Sequence, residues 1–356
     1  MTEKNKTPDR STGGGVECGF HVAVIGAGLS GLACARILAD HGHRARVFEK
    51  SRGPGGRMST RRADHLRFDH GAQYFTVRDP LFERFVASWR RDGLVARWNG
   101  RLAKLDRVAV ELNDDSPQRF VGVPGMNAIC KHLAGDLDVA FDHLVSRLER
   151  EGERWCVRCE DGSELGRFDA VVVSAPAPQC AALLAEAAPG IAARAAEVDM
   201  APCWAAMVAF DDALNLGFDG AFVQNSALSW VARNTSKPGR TAAEAWVLHG
   251  SPEWSRDHLE IDGEDAGRRL FGAFAEAGGQ PLPEPSHLIA HRWRFALPVE
   301  PLTETCLFDG DFTVVACGDW CGGPRVEGAF LSGCAAAGRV LAARDEADVA
   351  HEDRLR

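Results

Sequence analysis

The segment between residues 21 and 49 constrains the fold of this chain more than any other. A short β-rich run, His21–Ile25, leads into the glycine-rich loop Gly26–Gly31 (GAGLSG) and then into a helical stretch, Leu32–His41. A second β-rich run, Ala45–Glu49, follows and ends in an acidic residue. A GxGxxG loop between a strand and a helix is the dinucleotide-binding form of the βαβ unit. The sequence therefore predicts an α/β, Rossmann-type domain.

The residues of this loop suit a diphosphate group. Gly26 permits a tight turn, Gly28 lets the backbone approach a pyrophosphate, and Gly31 lets the helix pack on the strand. The helix N-terminus offers free N–H groups and the positive end of its dipole, and the Ser30 hydroxyl adds a donor. Glu49 suits hydrogen bonds to ribose hydroxyls and disfavours a 2′-phosphate. A glycine-rich turn without a ligand is the alternative.

A pair of glycines follows directly after the second predicted strand. The segment Lys50–Thr60 (KSRGPGGRMST) resembles the GG-R-x-[ST] signature of FAD-containing oxidases and desaturases of the amine-oxidase type. Paired glycines bring the backbone close to a cofactor, and Arg57 can neutralise a pyrophosphate with a forked contact. This segment favours FAD over NAD and gives a reason for the basic residues crowded between positions 44 and 67. Ordinary surface arginines are the alternative for Arg52, Arg61 and Arg62.

Two further segments contain polar residues that suit a flavin site. Asp69–Phe75 includes Gln73 and the only tyrosine of the chain, Tyr74. Asp319 ends a predicted strand, where an acid can hold a ribityl or ribose hydroxyl. Val326–Gly328 begins the last predicted helix, and a helix N-terminus aimed at the pyrimidine edge of a flavin would stabilise the negative charge of the reduced ring.

Predicted strands of one sheet occur at both ends of the chain. Asp169–Ala175 and residues 312–319 are typical of buried parallel strands, and a helix from about Ala329 to Ala343 follows the second. The nucleotide-binding domain is therefore expected to be discontinuous, with residues 20–90, 119–180 and 288–345. Alternating apolar runs such as Trp204–Phe210 predict an inserted α+β substrate domain with an antiparallel sheet, residues 91–118 and 181–287. Residues 1–19 are expected to form a disordered leader and residues 346–356 a tail.

Charge and cysteine usage restrict the partners and the compartment. The net charge of −9 argues against nucleic acid or an anionic membrane, since those surfaces attract basic proteins. The 11 scattered cysteines predict a reducing compartment. Cys156 and Cys159 lie in an alternating run that directs their sulfurs to opposite faces, so no metal site is predicted. With no stretch near the ~20 apolar residues that span a bilayer and no signal-peptide core, a soluble cytoplasmic protein is expected.

Five segments together resemble the renalase family over the stretch from about His21 to Ala343. The Gly26–Gly31 loop and Gly55–Ser59 occur across many flavoproteins. The more specific segments, in chain order, are Gly71–Phe75 (GAQYF), Ala232–Arg240 with Trp246–His249, and Cys317–Cys321 with Arg325–Ala329. The chain looks like a bacterial member of that family.

This resemblance implies a p-hydroxybenzoate-hydroxylase-like fold and one non-covalently bound FAD. It also implies oxidation of the 2- and 6-dihydro isomers of NAD(P), with hydride transfer to flavin N5, β-NAD(P)+ as product and O2 reduced to hydrogen peroxide. No second GxGxxG loop is visible for an NADPH reductant. The resemblance and the motifs together give these candidate cofactor-binding residues: Gly26, Gly28, Ser30, Gly31, Glu49, Lys50, Arg57, Met58, Gln73, Tyr74, Asp319, Val326, Glu327 and Gly328.

The substrate contacts are the least determined part of this interpretation. His249, on a predicted strand beside Trp246, is the candidate catalytic residue, and a satisfied core or surface histidine is the alternative. The Arg233–Arg240 loop either meets substrate phosphates or forms a solvated basic turn. Two other functions stay open: oxidation or desaturation of another small substrate such as an amine, and a non-catalytic flavin-binding role.

Overall fold

The structure is a computed structural model and describes residues 20–106, 109–112, 117–279, 281–311 and 313–355. Its strands are β1 (His21–Ile25), β2 (Arg44–Phe48), β3 (Arg61–Ala63), β4 (Leu66–Phe68), β5 (Val95–Arg97), β6 (Leu102–Asp106), β7 (Ala109–Leu112), β8 (Phe120–Gly122), β9 (Asp138–Ala140), β10 (Val145–Glu151), β11 (Arg154–Cys159), β12 (Glu164–Phe168), β13 (Ala170–Val173), β14 (Met200–Phe210), β15 (Gly220–Val223), β16 (Leu228–Arg233), β17 (Glu244–Gly250), β18 (His287–Pro298), β19 (Leu307–Asp309) and β20 (Val314–Ala316). Its helices are α1 (Leu29–Asp40), α2 (Pro80–Arg91), α3 (Ala128–Ala134), α4 (Ala177–Leu184), α5 (Pro189–Ala196), α6 (Pro252–Asp257), α7 (Gly263–Ala277) and α8 (Val326–Leu355).

The predicted βαβ unit forms the middle of a six-stranded sheet with the order β19-β20-β13-β1-β2-β9. Every pairing in it is parallel except that of β19 with β20. Successive residues of β1 alternate between two cores, because side chains along a strand point to opposite faces. Val22 and Val24 pack with α1 and α8, whereas Ala23 and Ile25 pack with α4 and α5. This confirms the α/β class, with both ends of the chain contributing strands.

A second, seven-stranded sheet has the order β18-β14-β17-β16-β15-β6-β7. Its pairings are antiparallel except for β15 with β6, which confirms the predicted antiparallel sheet. One face packs on α7, where Trp246 meets Leu270 and Phe274. Residues of the opposite face, among them Val247, pack against Phe68 of β4. The loop segments after β2 therefore lie between the two sheets.

The boundaries between the two regions differ from those predicted. The seven-stranded sheet continues through Pro298, because β18 pairs with β14 along its length. Residues 181–199 do not belong to that sheet. Leu184, Ile191 and Ala195 are buried in the core beneath Val171 and Val173 of the first sheet. The predicted leader, residues 1–19, lies outside the described residues.

The last helix corrects two sequence expectations. Its segment Val326–Asp345 is long and apolar enough, by length and composition alone, to cross a bilayer. In the structure this segment packs along α1: a Cβ atom at Gly333 would overlap the carbonyl oxygen of Ser30, and Phe330 and Val340 are buried. Core packing therefore accounts for the buried part of its apolar surface. The helix also continues through Leu355, where the sequence predicts a tail.

Candidate functional site

The glycine loop between β1 and α1 has the geometry that a diphosphate requires. Gly26 has a φ of 106°, and a Cβ atom there would lie 2.5 Å from the carbonyl oxygen of Ser174. A Cβ atom at Gly31 would overlap the carbonyl oxygen of Gly26. Gly28, the residue before α1, has no heavy atom within 4 Å of its Cβ position, so the helix N-terminus faces open space. Backbone N–H groups can reach an anion there.

Two polar side chains beside this loop are placed for a ribose and a phosphate. The buried Glu49 carboxylate accepts hydrogen bonds from the backbone N–H groups of Ala27 and Ser51, both at 2.8 Å. Each carboxylate oxygen can accept a second hydrogen bond, so both remain able to hold hydroxyl groups. The Ser30 hydroxyl is buried without a nitrogen or oxygen partner among the described residues. These residues fit a dinucleotide cofactor.

Arg57 and Asp319 were predicted to contact the cofactor separately, and the structure joins them. The two arms of the Arg57 guanidinium donate to the two carboxylate oxygens of Asp319 at 2.8 and 2.6 Å. One arm also donates to the backbone oxygen of Ala296 at 3.2 Å. The forked contact expected for a pyrophosphate is therefore made with Asp319. The pair ties the glycine segment after β2 to the loop after β20, and it leaves the outer lone pairs of Asp319 for a hydroxyl group.

Two other candidates from the cofactor motifs, Glu327 and Gly328, fix the backbone around this place. The Glu327 carboxylate accepts hydrogen bonds from the backbone N–H groups of Arg78 and Asp79 at 2.7 and 2.8 Å. A Cβ atom at Gly328 would overlap the carbonyl of Gly323, so α8 starts in close contact with the preceding loop. Three further candidates differ in exposure: Lys50 is exposed, Val326 is half-buried and Met58 is buried in the core.

A buried ionic cluster lies where the segment Asp69–Phe75 meets the loop after β16. Asp69 is fully buried and accepts from Arg240 at 2.5 Å, from the Thr60 hydroxyl at 2.8 Å and from the backbone of Met126 at 3.0 Å. The Nζ atom of Lys237 lies 3.5 Å from the same carboxylate. The side chains of Lys237 and Arg240 are 0% and 1% exposed, so the solvated basic turn is wrong for this part of the loop.

One carboxylate thus faces two buried cations. Burial alone would raise the pKa of Asp69, but Lys237 and Arg240 outweigh it and hold the pKa below its usual value. Burial lowers the pKa of Lys237 to about 8, against the opposing effect of Asp69. Near neutral pH the lysine remains mostly protonated. Asp69, Lys237 and Arg240 therefore carry one net positive charge in the interior.

The amide of Gln73 connects this cluster to the cofactor segment. Its Oε1 atom accepts a hydrogen bond from Lys237 Nζ at 3.0 Å, and its Nε2 atom donates to the carbonyl oxygens of Asp69 and Gly71. A Cβ atom at Gly71 would overlap the carbonyl of Arg57, so this segment runs directly against the glycine pair. The Gln73 amide therefore joins Lys237 to the backbone segment that packs against Arg57.

The candidate catalytic residue His249 lies in a group of uncharged rings. Its Nε2 atom is 3.2 Å from the carbonyl oxygen of His70, which also accepts from the Trp293 indole at 3.0 Å. The His70 ring stacks on Trp293 at 4.9 Å. Burial lowers the pKa of His249 to about 4, and burial together with His291 lowers that of His70 to about 3. These imidazoles are neutral at physiological pH.

Tyr74 occupies a third part of the site, an aromatic group below the ionic cluster. Its ring lies 5.4 Å from Trp230 and 6.2 Å from Trp98, and the Arg119 guanidinium lies 4.9 Å from its centre. Tyr74 is a candidate FAD contact from the sequence, whereas Arg119 is not among the candidates. Arg119 sits in no motif, so no signal in a single sequence marks it. Lys237, by contrast, lies inside a segment already singled out.

The glycine loop, the acid at the end of β2 and the parallel sheet define the class of protein: a Rossmann-type flavin or nicotinamide protein. Comparison with known families separates the two. Residues 24–89 match the NAD(P)-binding Rossmann-like domain, and residues 105–341, more than half of the chain, match the flavin containing amine oxidoreductase family. The chain belongs to that family, and its cofactor is FAD. Membership of this family supports an FAD-dependent oxidoreductase.

Individual relatives support the fold over the whole chain but match closely only over a short stretch. A 4,4′-diapophytoene desaturase of Staphylococcus haemolyticus is 43% identical over 70 residues, 20% of this chain and 14% of that protein. A putative protoporphyrinogen oxidase from Exiguobacterium sp. 255-15 has a TM-score of 0.75 at 13% identity, covering 93% of this chain and 100% of its own. Cyclohexylamine oxidase from Brevibacterium oxydans IH-35A has a TM-score of 0.70 at 13% identity, covering 92% and 99%. At such identities the structural likeness concerns the fold alone.

Proposed function

We propose that this protein is a renalase-type oxidase that converts 2- or 6-dihydro-NAD(P) to β-NAD(P)+ and reduces O2 to hydrogen peroxide. The substrate gives up a hydride, which supplies two electrons and one proton, and solvent supplies the second proton of the peroxide. Bound FAD supplies the hydride acceptor and the reaction with O2. The resemblance of Gly71–Phe75, Ala232–Arg240 and Cys317–Cys321 to the renalase family supports this choice of substrate.

The observation that carries the proposal is the charge of the buried cluster. Lys237 and Arg240 outnumber their one described carboxylate partner, Asp69, and the neighbouring His249 and His70 are neutral. A net positive interior attracts the anionic diphosphate of a dinucleotide and repels the ammonium group of a protonated amine. The arrangement therefore favours a dinucleotide over an amine.

The neutral rings are suited to orienting the substrate. Hydride transfer from a dihydropyridine needs alignment of the reacting atoms and no prior loss of a proton. We assign this task to His249, whose ring is fixed by the His70 carbonyl, and to Trp293, which donates to the same oxygen. For its Nε2 atom to donate to that carbonyl, the His249 ring must be the Nε2–H tautomer, which leaves Nδ1 as an acceptor.

An amine oxidase is the second candidate, because Tyr74, Trp98 and Trp230 form an aromatic group of the kind that can surround an ammonium ion. The Arg119 guanidinium already lies over the Tyr74 ring, so that face is taken by a cation.

We also propose a reducing, cytoplasmic location, since the described cysteines are free thiols.

Anaerobic mixing of the FAD-loaded protein with reductants tests the proposal. We expect 2- or 6-dihydro-NAD to bleach the flavin absorbance rapidly, with β-NAD+ as product, and a panel of amines including putrescine and cyclohexylamine to leave it unchanged. Lys237→Met should slow the bleaching, and Lys104→Met, at an exposed lysine of β6, should not. Rapid bleaching by an amine and none by the dinucleotides would refute the proposal.

A further inference from the structure

Arg119 is a buried cation outside every motif of the cofactor site. It is 7% exposed, its Nε atom has no hydrogen-bond partner among the described residues, and one arm makes a 3.4 Å contact with the carbonyl of Pro117. No carboxylate among the described residues pairs with it. A guanidinium offers five N–H donors and cannot lose its charge in a protein. Burying it with so few partners is unfavourable unless another group completes the site.

A second unpartnered donor lies against the same tyrosine. The indole of Trp230 is 6% exposed, and its Nε1 atom is buried with no hydrogen-bond partner in the described part of the chain. Its ring lies 5.4 Å from Tyr74, which the Arg119 guanidinium approaches to 4.9 Å. By contrast, the indole of the neighbouring Trp98 donates to the Ser236 hydroxyl at 3.0 Å. Missing partners are therefore a property of these two side chains and not of the whole aromatic group.

Both unpartnered groups are donors, and one of them is a cation. Buried polar atoms in proteins nearly always have a partner, so two orphan donors around one ring point to a ligand that brings acceptor oxygens. The charge specifies the ligand further, since a guanidinium binds phosphate or carboxylate oxygens more strongly than a neutral carbonyl. The net positive charge of the ionic cluster also favours an anion here. Lys237 Nζ lies 5.9 Å from the ring of Trp98, which belongs to the same aromatic group as Tyr74 and Trp230.

We propose that Arg119 and Trp230 form an anion subsite that binds the diphosphate of the dinucleotide substrate. This inference rests on the proposed function for the identity of the substrate, while the anion preference rests on the two donors alone. The Tyr74 ring lies beside both groups, 4.9 Å from the guanidinium and 5.4 Å from the Trp230 ring. The subsite would select dinucleotides over nucleosides and would explain why this part of the interior is cationic.

The test measures the affinity of FAD-loaded protein for ligands that carry only part of the substrate. ADP-ribose and inorganic pyrophosphate carry the diphosphate without a nicotinamide ring, and reduced nicotinamide riboside carries the ring without a phosphate. Dissociation constants are read from the perturbation of the flavin spectrum. Arg119→Gln should weaken ADP-ribose and pyrophosphate about 10- to 100-fold, as for a lost charge-assisted contact, and should leave the riboside unchanged.

Three further variants separate charge, hydrogen bond and folding. Arg119→Lys keeps the charge and should recover most of the affinity. Trp230→Phe keeps the ring, loses the N–H group and should weaken ADP-ribose about 3- to 10-fold. Arg90→Gln is the matched control, because Arg90 is exposed and lies over Phe120 at 5.4 Å, and it should have no effect. Thermal melting of each variant checks that the fold is retained.

The outcomes separate this inference from the proposed function. If ADP-ribose or pyrophosphate binds in an Arg119-dependent way while dihydro-NAD fails to reduce the flavin, the subsite stands and the proposed reaction fails. If dihydro-NAD is oxidised and Arg119→Gln leaves the affinity for ADP-ribose unchanged, the subsite is wrong. Equal weakening of the riboside, or loss of FAD from Arg119→Gln, would also overturn it, since the arginine would then hold the carboxamide or the cofactor.

Discussion

The two halves of the site recognise their ligands by different means. The glycine loop, Gly26–Gly31, acts through backbone N–H groups and through the absence of side chains, as the open space at Gly28 shows. The ionic cluster of Asp69, Lys237 and Arg240 acts through charged side chains that lie far apart in the sequence and meet in the interior. The first half contains one buried carboxylate, that of Glu49, which accepts hydrogen bonds from two backbone N–H groups. The second holds one more cation than it has described carboxylates.

This difference indicates which half of the site limits the stability of the protein and which half limits cofactor binding. A backbone site costs little to maintain, because its N–H groups would be unpaired at the helix N-terminus in any case. A buried cluster with excess charge is expensive to desolvate, and it is tolerated where a ligand completes it. We therefore expect changes in the cluster to affect stability most, and changes in the loop to affect cofactor binding most.

The largest effect should follow the loss of the one carboxylate in the cluster. Asp69→Asn leaves Lys237 and Arg240 buried without a counterion, and removing one partner of a buried pair costs about 3–5 kcal/mol of unfolding free energy. Chemical denaturation of the FAD-loaded protein measures it. Asp92→Asn, at an exposed position, is the control. A loss below about 1 kcal/mol, within the range of exposed ion pairs, would show that the cluster is not the costly half.

Arg57 lies between the two halves and places a charged side chain, paired with Asp319, next to the glycine loop. Arg57→Ala removes its pair with Asp319 and should weaken FAD binding roughly 10- to 100-fold, corresponding to a charge-assisted contact of about 1.5–3 kcal/mol. Fluorescence titration of apoprotein with FAD gives the value, with Arg62→Ala at an exposed position of β3 as the control. Wild-type affinity in Arg57→Ala would place the cofactor away from this pair.

Within the loop, alanine substitutions at Gly31 and Gly28 should have different effects on stability. In Gly31→Ala the new Cβ atom overlaps the Gly26 carbonyl, so we expect about 1–3 kcal/mol of destabilisation as well as loss of FAD. In Gly28→Ala the Cβ atom meets nothing in the protein, so FAD binding should weaken while apoprotein stability stays unchanged. Gly338→Ala, also in open space, is the control. Equal loss of stability in the first two would contradict a ligand-facing role for Gly28.

A rise in pH should change two properties of the protein in opposite directions: the affinity for NAD+ should fall and the stability of the fold should rise. Below about pH 8 the Lys237 ammonium is present, and as the pH rises through that value the folded protein loses this charge, so affinity for NAD+ should fall up to about tenfold per pH unit. The unfolded lysine keeps its proton to about pH 10.4, so stability should rise between these values. The charged neighbours of Lys237 are Asp69 and Arg240, and Asp69 stays ionised across this range because its pKa is held below its usual value. In Lys237→Met both dependences should disappear, whereas a wild-type profile in that variant would exclude Lys237.

The glycine half could be predicted from the sequence because its information is local. Strand, loop and helix follow one another between residues 21 and 49, and the GxGxxG spacing is recognised there without reference to any long-range contact. Glu49 was identified on the same grounds and accepts hydrogen bonds from within that unit. The parallel strands of the first sheet and the antiparallel second sheet were also predicted, since apolar runs and alternation survive in a single sequence.

The other half could not be predicted because it depends on contacts between distant segments. Asp69 and Arg240 are separated by 171 positions, and Arg57 and Asp319 by 262. Nothing in the Arg233–Arg240 loop shows that two of its cations are buried. The domain boundary after β18 was missed for the same reason: its pairing with β14 is a long-range contact. Arg119 carries no sequence signal and is recognised only from its burial and its unpartnered Nε atom.

The central claim is that the buried cations select an anionic dinucleotide over an amine. Calorimetric titration of the FAD-loaded protein with β-NAD+, the proposed product, and separately with putrescine tests it most directly. We predict that NAD+ binds, that Lys237→Met weakens its binding, and that putrescine does not bind. Saturable binding of putrescine with no binding of NAD+ would contradict the claim.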